Sequence, residues 1–481
     1  MQHIKEQASY IVAVLIIAFS TYFFNYQNPQ AVFWDENYHI ASAQKYIDGV
    51  MYMEPHPPLG KLFIALGEVL INPNEGIDKS SFDKTDYIKH FPKGFSFTGY
   101  RFFPALFGAL SALLFYFILY RIGRSREYAF LFSALYLFAN AFILQSRSAM
   151  LESTQIFFVF AAILYFLLLY DRERIGYKEY FILGIFFGLA LAVKLNGLIL
   201  ILLYPALYIY KNDMQTYWLT LLRDFVAKGI VVTAGMAVVF FSVFYIHFAL
   251  GDTQIKRYKA SPEYLRILKK HENASLSNFA VMMRDNLYFI KQYAKGVPRY
   301  NPCKKGENGS LATTWPFGNK SINYRRSKKE GKVSYLYLQI NPVIWFSVVF
   351  AVILGVVLVV GRYVFGLHVK DRRLFYLSAT FLTLYLSYMI TMFNIERVMY
   401  LYHYFMPLFF GTFLLFSLFN YIFKEEIAKN SKMLNIAVVI FVLEIIYVYY
   451  YFSPFTYYKP LGTVEFMDRA WFDFWKLKPI L

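Results

Sequence analysis

The sequence predicts an all-α integral membrane protein with about eleven transmembrane helices, and three observations predict it. Of its 481 residues, 58% are hydrophobic and 21% aromatic, far above the share in a soluble chain. Apolar runs of about 18 residues, the length that crosses a bilayer as a helix, recur from end to end. Short loops rich in Lys and Arg separate many of them.

Taken in order, the apolar runs lie near 8–26, 99–120, 128–145, 153–170, 180–193, 195–210, 229–250, 341–361, 374–393, 398–423 and 434–452. No small-residue cleavage site follows the first, so it is expected to be a retained span. The fifth and sixth are short and meet at Val193-Lys194-Leu195-Asn196-Gly197, where one long helix is the alternative. The loops 121–127, 171–178, 211–224, 361–373 and 424–432 are all basic, which places them in the cytoplasm by the positive-inside rule. They share one side only if Lys194–Gly197 is a turn on the other side. The N-terminus is then cytoplasmic and the C-terminus external.

Three larger segments fall outside: 27–98, 251–340 and the tail 453–481. No soluble domain or tandem repeat interrupts residues 1–481, which read as a single membrane-embedded domain. The segment 251–340 holds 18 Lys/Arg against 6 Asp/Glu, so most of the net charge of +18 is external. It is either a solvated basic surface or one that meets anionic headgroups or a phosphate-bearing substrate. In a membrane protein such charge points to lipid or phosphate before nucleic acid. Residues 261–296 look helical and partly amphipathic, as in an interfacial helix. The one cysteine, Cys303, excludes an intrachain disulfide framework.

Ionisable residues at membrane depth cost roughly 2.5–3.5 kcal/mol each, which makes them functional candidates. The external ends of the spans collect Asp35, Glu36 and His39, then Arg101, Arg147, Glu152, Lys194 and His247, then Glu396, Arg397 and His403. Any one alone could be an interfacial side chain reaching for headgroups. Together, both signs on one side imply a polar cavity that opens outward. Carboxylates beside cations suit general acid/base work on an anionic leaving group. There is no G-x-x-x-x-G-K-[ST], H-E-x-x-H or G-x-S-x-G, and the His residues lack zinc spacing. The Asp-Glu pair could take a divalent cation, but the other ligands are not evident, and no metal is expected.

The stretch "FWDENYHIASAQKYIDGVMYMEPHPPLGKLF" (33–63) resembles the first external loop of protein O-mannosyltransferases, where an Asp-Glu pair precedes Asp-x-His-Pro-Pro-Leu-Gly-Lys. Further matches follow in order: "YRFFPALFGAL" (100–110), "SRSAMLES" (146–153), "GLALAVKLNGL" (188–198), "FYIHFAL" (244–250), "INPVIWF" (340–346) and "RVMYLYHYFMPLFF" (397–410). Two positions depart from the family: Glu54 and Glu152 stand where it has Asp. The external loop 251–340 is too short for the β-trefoil of eukaryotic members, so the chain is similar to the compact bacterial type.

The resemblance implies the glycosyltransferase-C fold and a site at the external face of the cell (inner) membrane. It implies inverting transfer of mannose, or a similar hexose, from a polyprenyl-phosphate carrier to Ser/Thr hydroxyls of exported proteins. The partners are then the lipid-linked sugar, the acceptor protein and membrane lipid, with no nucleic acid and no nucleotide or other cofactor. By resemblance Asp35 is the base and Glu36 orients the acceptor. Glu54, His56, His39 and Glu152 are acceptor-side or supporting candidates. Arg101, Lys194 and Arg397 are candidates for the donor phosphate, with Arg147 and His403 beside them. A transferase of the same fold acting on a lipid or cell-surface glycan is the alternative. A transporter fits less well, because there is no repeat and the charges sit toward one face. A membrane scaffold would have no need of such a cluster.

Overall fold

The computed structural model describes residues 2–212, 217–255 and 258–479, with side chains from Gln7 onward. Parts of the loop 211–224, the segment 251–340 and the tail therefore lie outside the described residues. Each of the eleven apolar segments forms helix. Seven helices are long and apolar enough to cross a membrane alone: Thr98–Gly123, Glu152–Asp171, Trp218–Leu250, Pro342–Tyr363, Arg372–Phe393, Leu401–Ile422 and Lys432–Thr456. The third segment is instead a pair, Arg126–Leu137 and Asn140–Ser146, bent by 67°. The first (Gln7–Phe23) and sixth (Leu195–Lys211) are shorter, and the fifth, Tyr177–Leu191, has 15 residues.

Side-chain caps start three of the helices that leave the basic loops. The hydroxyls of Ser125 and Ser431 accept from the amides of Tyr128 and Leu434, and the Asp371 carboxylate accepts from Leu374. Pro342 opens its helix in the first turn, where its missing N–H costs nothing. The fifth and sixth segments do not run on as one helix. Helix ends at Leu191 and a 3₁₀ turn begins at Leu195. Gly197 makes the reversal possible, because a Cβ there would lie 2.7 Å from the Ala190 carbonyl carbon.

The aromatic-rich span Leu401–Ile422 sits deepest, with 83% of its apolar window buried. Phe405, Phe409 and Phe413 pack there against Phe142, Phe115 and Phe160. A second core forms under the first long loop. Helices Glu36–Ile47 and Leu59–Ile71 close over Phe244, Phe248 and Met282. The amphipathic stretch 261–296 forms two helices, Pro262–Lys269 and Phe279–Gly296, rather than one.

Helix dominates, and among the described residues the named strands form one small sheet. Strand β1 (Asn323–Lys329) pairs antiparallel with β2 (Lys332–Tyr337), and β3 (Pro460–Leu461) adds to the free edge of β2. The all-α expectation did not include this sheet. It ties the basic segment to the tail, and Tyr335 and Tyr337 of β2 pack on Phe466.

Candidate active site

Asp35 is placed by its backbone. Trp34, just before it, has φ 52°, a left-handed conformation that costs a non-glycine residue energy. Aromatic packing holds it there: the Trp34 ring stacks on Tyr324 at 5.0 Å and meets Tyr400 edge-on at 5.3 Å. The chain then turns into helix Glu36–Ile47, with Asp35 as its N-cap residue. The half-buried Asp35 carboxylate faces a cavity of about 700 Å³.

Several parts of the chain supply the opposite walls, the segment 289–307 among them. The Pro-Pro-Leu-Gly-Lys turn brings His56 and Lys61. Leu59 N–H donates to the Ala192 carbonyl at 3.0 Å, which fastens this turn to the end of the fifth segment. Gly60 allows the approach, since a Cβ there would lie 2.8 Å from Leu151 and 3.1 Å from Val193. The break before Glu152–Asp171 contributes Glu152, and the break after Leu191 contributes Lys194. The segment leading into Leu401–Ile422 contributes Arg397, Tyr402 and His403.

The polar groups are ordered. Lys194 Nζ donates to Glu152 Oε1 at 2.6 Å and lies 5.7 Å from the centre of the Tyr402 ring. Gln145 donates to the other Glu152 oxygen at 2.8 Å and accepts from the Tyr324 hydroxyl at 2.6 Å. The Tyr402 hydroxyl donates to Asp35 Oδ2 at 3.4 Å, and its ring stacks on His403 at 4.6 Å. Arg397 lines the cavity with no hydrogen-bond or ion-pair partner for its guanidinium among the described residues.

Burial and the neighbouring Glu152 charge push the Asp35 carboxyl up to about 6, against the smaller opposing pull of Lys194 and the Tyr402 hydroxyl. Burial, helped by nearby cations including Lys61 and Lys194, holds His39 and His56 well below the usual histidine range. Both are therefore neutral near pH 7. Among the described residues no group of three His, Cys, Asp or Glu is gathered as a metal site.

The cavity brings together Asp35, His39, His56, Glu152, Lys194, Arg397 and His403 of the residues singled out from sequence. It leaves six others outside, among them the buried His247, whose Nδ1 meets the Tyr46 hydroxyl at 2.9 Å, and the exposed Glu396, which pairs with Arg299 at 3.2 Å. Glu36 and Arg101 are fully buried and face each other in a two-bond ion pair, both bonds 2.7 Å. Arg101 also donates to the carbonyls of Gln27, Pro29 and Ala31, while Glu36 accepts from the amides of Phe33 and Ala149. Contrary to the expectation, neither side chain is open to a substrate; together they clamp the loop carrying Asp35. Arg147 is likewise buried, donates to the Asn25 carbonyl at 2.6 Å and lies over the Tyr457 ring. Glu54 is sealed beneath the cavity, accepting from Lys61 at 2.7 Å and from the Tyr52 hydroxyl at 2.9 Å. Tyr402, Gln145, Tyr324 and Lys61 were not singled out. Lys61 and Tyr402 lie inside quoted motifs, but nothing in the sequence separates them from ordinary interfacial residues.

These broken spans around a polar cavity form the glycosyltransferase-C fold. The S. cerevisiae protein O-mannosyltransferase Pmt1-Pmt2 complex bound to its sugar donor superimposes with a TM-score of 0.82 at 16% identity, over 97% of this chain and 92% of that one. The Archaeoglobus fulgidus oligosaccharyltransferase AglB gives 0.51 at 12% identity, over 97% of this chain and 57% of that one. Family models match most of the sequence. Residues 12–250 match dolichyl-phosphate-mannose-protein mannosyltransferase, and residues 297–475 match the C-terminal four-span region of protein-O-mannosyltransferase. The chain belongs to the protein O-mannosyltransferase family. It is 31% identical to Candida albicans dolichyl-phosphate-mannose--protein mannosyltransferase 1 over 263 residues, 52% of this chain and 28% of that one. It is 29% identical to Danio rerio protein O-mannosyl-transferase 1 over 191 residues, 39% of this chain and 26% of that one. The matched region is thus less than a third of these relatives' lengths.

Proposed function

We propose that this protein transfers mannose, or a similar hexose, from a polyprenyl-phosphate carrier to Ser/Thr hydroxyls of exported proteins. The observation that carries this reading is the meeting, in one cavity, of the raised Asp35 carboxylate with the Lys194 and Arg397 cations. Asp35 is ionised near pH 7, yet more basic than an ordinary aspartate, as a general base should be. It takes the hydroxyl proton as the acceptor oxygen bonds to the anomeric carbon. The bond from that carbon to the phosphate oxygen breaks, the phosphate keeps the electron pair, and configuration inverts.

Arg397 and Lys194 neutralise the charge that grows on the phosphate. Among the described residues Arg397 has its whole donor fork free, and Lys194 keeps two N–H donors beyond its bond to Glu152. His403 flanks them. His39 and His56 serve the acceptor side as neutral hydrogen-bonding groups. Glu152 orients Lys194 and keeps Asp35 basic. The leaving group is the carrier phosphate itself, so the chemistry calls for neither nucleotide nor metal. The cavity faces the outside of the cell membrane, and the N-terminus lies in the cytoplasm.

A single-turnover assay in nanodiscs tests the reading, with radiolabelled polyprenyl-phosphate mannose and a Ser/Thr-rich peptide, with and without EDTA. Label on the peptide hydroxyl, unaffected by EDTA and lost in Asp35→Asn, is expected. Label on extracted lipid or glycan alone overturns the protein acceptor.

A further inference from the structure

The helix Lys432–Thr456 is peripheral, with only 28% of its apolar window buried. Glu444 stands twelve residues from each of its ends, and its side chain is exposed. Around it on the same open face lie Ile440 (52% exposed), Leu443 (58%) and Tyr447 (65%). At a rise of about 1.5 Å per residue the carboxylate is about 18 Å from either end, beyond the reach of a glutamate side chain. It cannot snorkel to water, as Lys and Arg near span ends do. Among the described residues, no other span carries an exposed Asp, Glu, Lys or Arg so far from both its ends. Hydrocarbon offers the carboxylate no donor, and intramembrane ionisable residues face protein or a wet cavity. The cavity described above does not include Glu444.

We propose that this face docks a spanning helix of a different chain, one that carries Lys or Arg at mid-depth opposite Glu444. Charge complementarity selects this occupant. A second copy of this chain offers no exposed cation at that depth among its described residues. Meeting this same face, it would answer Glu444 with its own Glu444 or with the Tyr447 hydroxyl. The inference is independent of the transfer reaction.

The test uses the full chain in phosphatidylcholine vesicles, labelled with a fluorophore on the exposed Cys303. Two acceptor-labelled Leu/Ala spanning peptides are added, one with Lys at its centre and one with Leu. The Lys peptide should associate with the wild type roughly tenfold more tightly, the scale of one polar contact between spanning helices. Glu444→Leu should abolish the difference without lowering thermal stability, which shows that the variant is folded. Equal association of both peptides with the wild type overturns the proposal, as does a preference that survives Glu444→Leu. A Tyr447→Cys variant in a Cys303→Ser background supplies the remaining arm. Efficient disulfide formation between two copies overturns the proposal in favour of self-association, and its absence supports a different partner.

Discussion

At the scale of single residues, the raised Asp35 group makes two predictions that separate function from folding. The proposed base must be ionised, so kcat/KM should fall about tenfold per pH unit below about pH 6 and level off above it. The group's folded value lies above its ordinary one, so the folded state favours the protonated form. Ionisation of Asp35 therefore costs stability as pH rises through about 6. Asp35→Asn removes that cost. It should lower turnover by roughly 10²–10⁴-fold while holding or raising the melting temperature at pH 7. A variant that loses activity and stability together would mark Asp35 as structural. Tyr402→Phe keeps the ring on His403 and removes the donor to Asp35. The acidic limb of its pH profile should move to higher pH, because the lost hydrogen bond had favoured the carboxylate. Glu36 behaves in the opposite way. Glu36→Gln leaves Arg101 buried without its carboxylate partner, a loss of roughly 3–5 kcal/mol that a melting curve reads directly. From sequence Glu36 and Asp35 look alike, since both are acidic neighbours after a span. Only packing sends one carboxylate into the cavity and the other onto Arg101.

At the scale of elements, the apolar segments were legible because bilayer thickness and helix rise leave few ways to build a span. What hydropathy cannot register is where a span breaks. The bend after Leu137 leaves local composition apolar, and it is the separate breaks before Glu152 and after Leu191 that open backbone and deliver Glu152 and Lys194 to the cavity. The β1–β2 hairpin was hidden for another reason. Arg325, Arg326, Lys328 and Lys329 read as loop, and the strand is held by pairing with β2, whose other edge is covered by the distant β3, rather than by its own pattern. The His-Pro-Pro-Leu-Gly-Lys motif was legible as a turn, but its need for glycine is a matter of contact. Gly60→Ala sets a methyl 2.8 Å from Leu151. Overpacking of this kind costs about 1–3 kcal/mol, and here it pushes the His56–Lys61 turn away from Glu152 and Lys194. Transfer should drop severalfold, with the spans intact by circular dichroism. Unchanged transfer would show that the close approach does not matter to the cavity.

At the scale of the whole molecule, the class of acceptor depends on which side of the membrane the cavity opens. The basic loops supply a charge argument, and the segment 297–307 supplies a position that can be measured. Val297, Lys304 and Glu307 line the cavity, so Cys303 between them stands at its rim. Cys303 is the one cysteine in the chain and is exposed. A thiol reports its side of the membrane without any substitution. A membrane-impermeant maleimide should label Cys303 in intact cells, with no gain on permeabilisation. Labelling only after permeabilisation would place the cavity in the cytoplasm and remove exported proteins as acceptors. A bulky polymer maleimide on the same thiol should slow transfer to a peptide while leaving binding of the lipid-linked donor intact, because the peptide enters from water and the carrier from the bilayer. Loss of both together would mean that donor and acceptor share the same mouth.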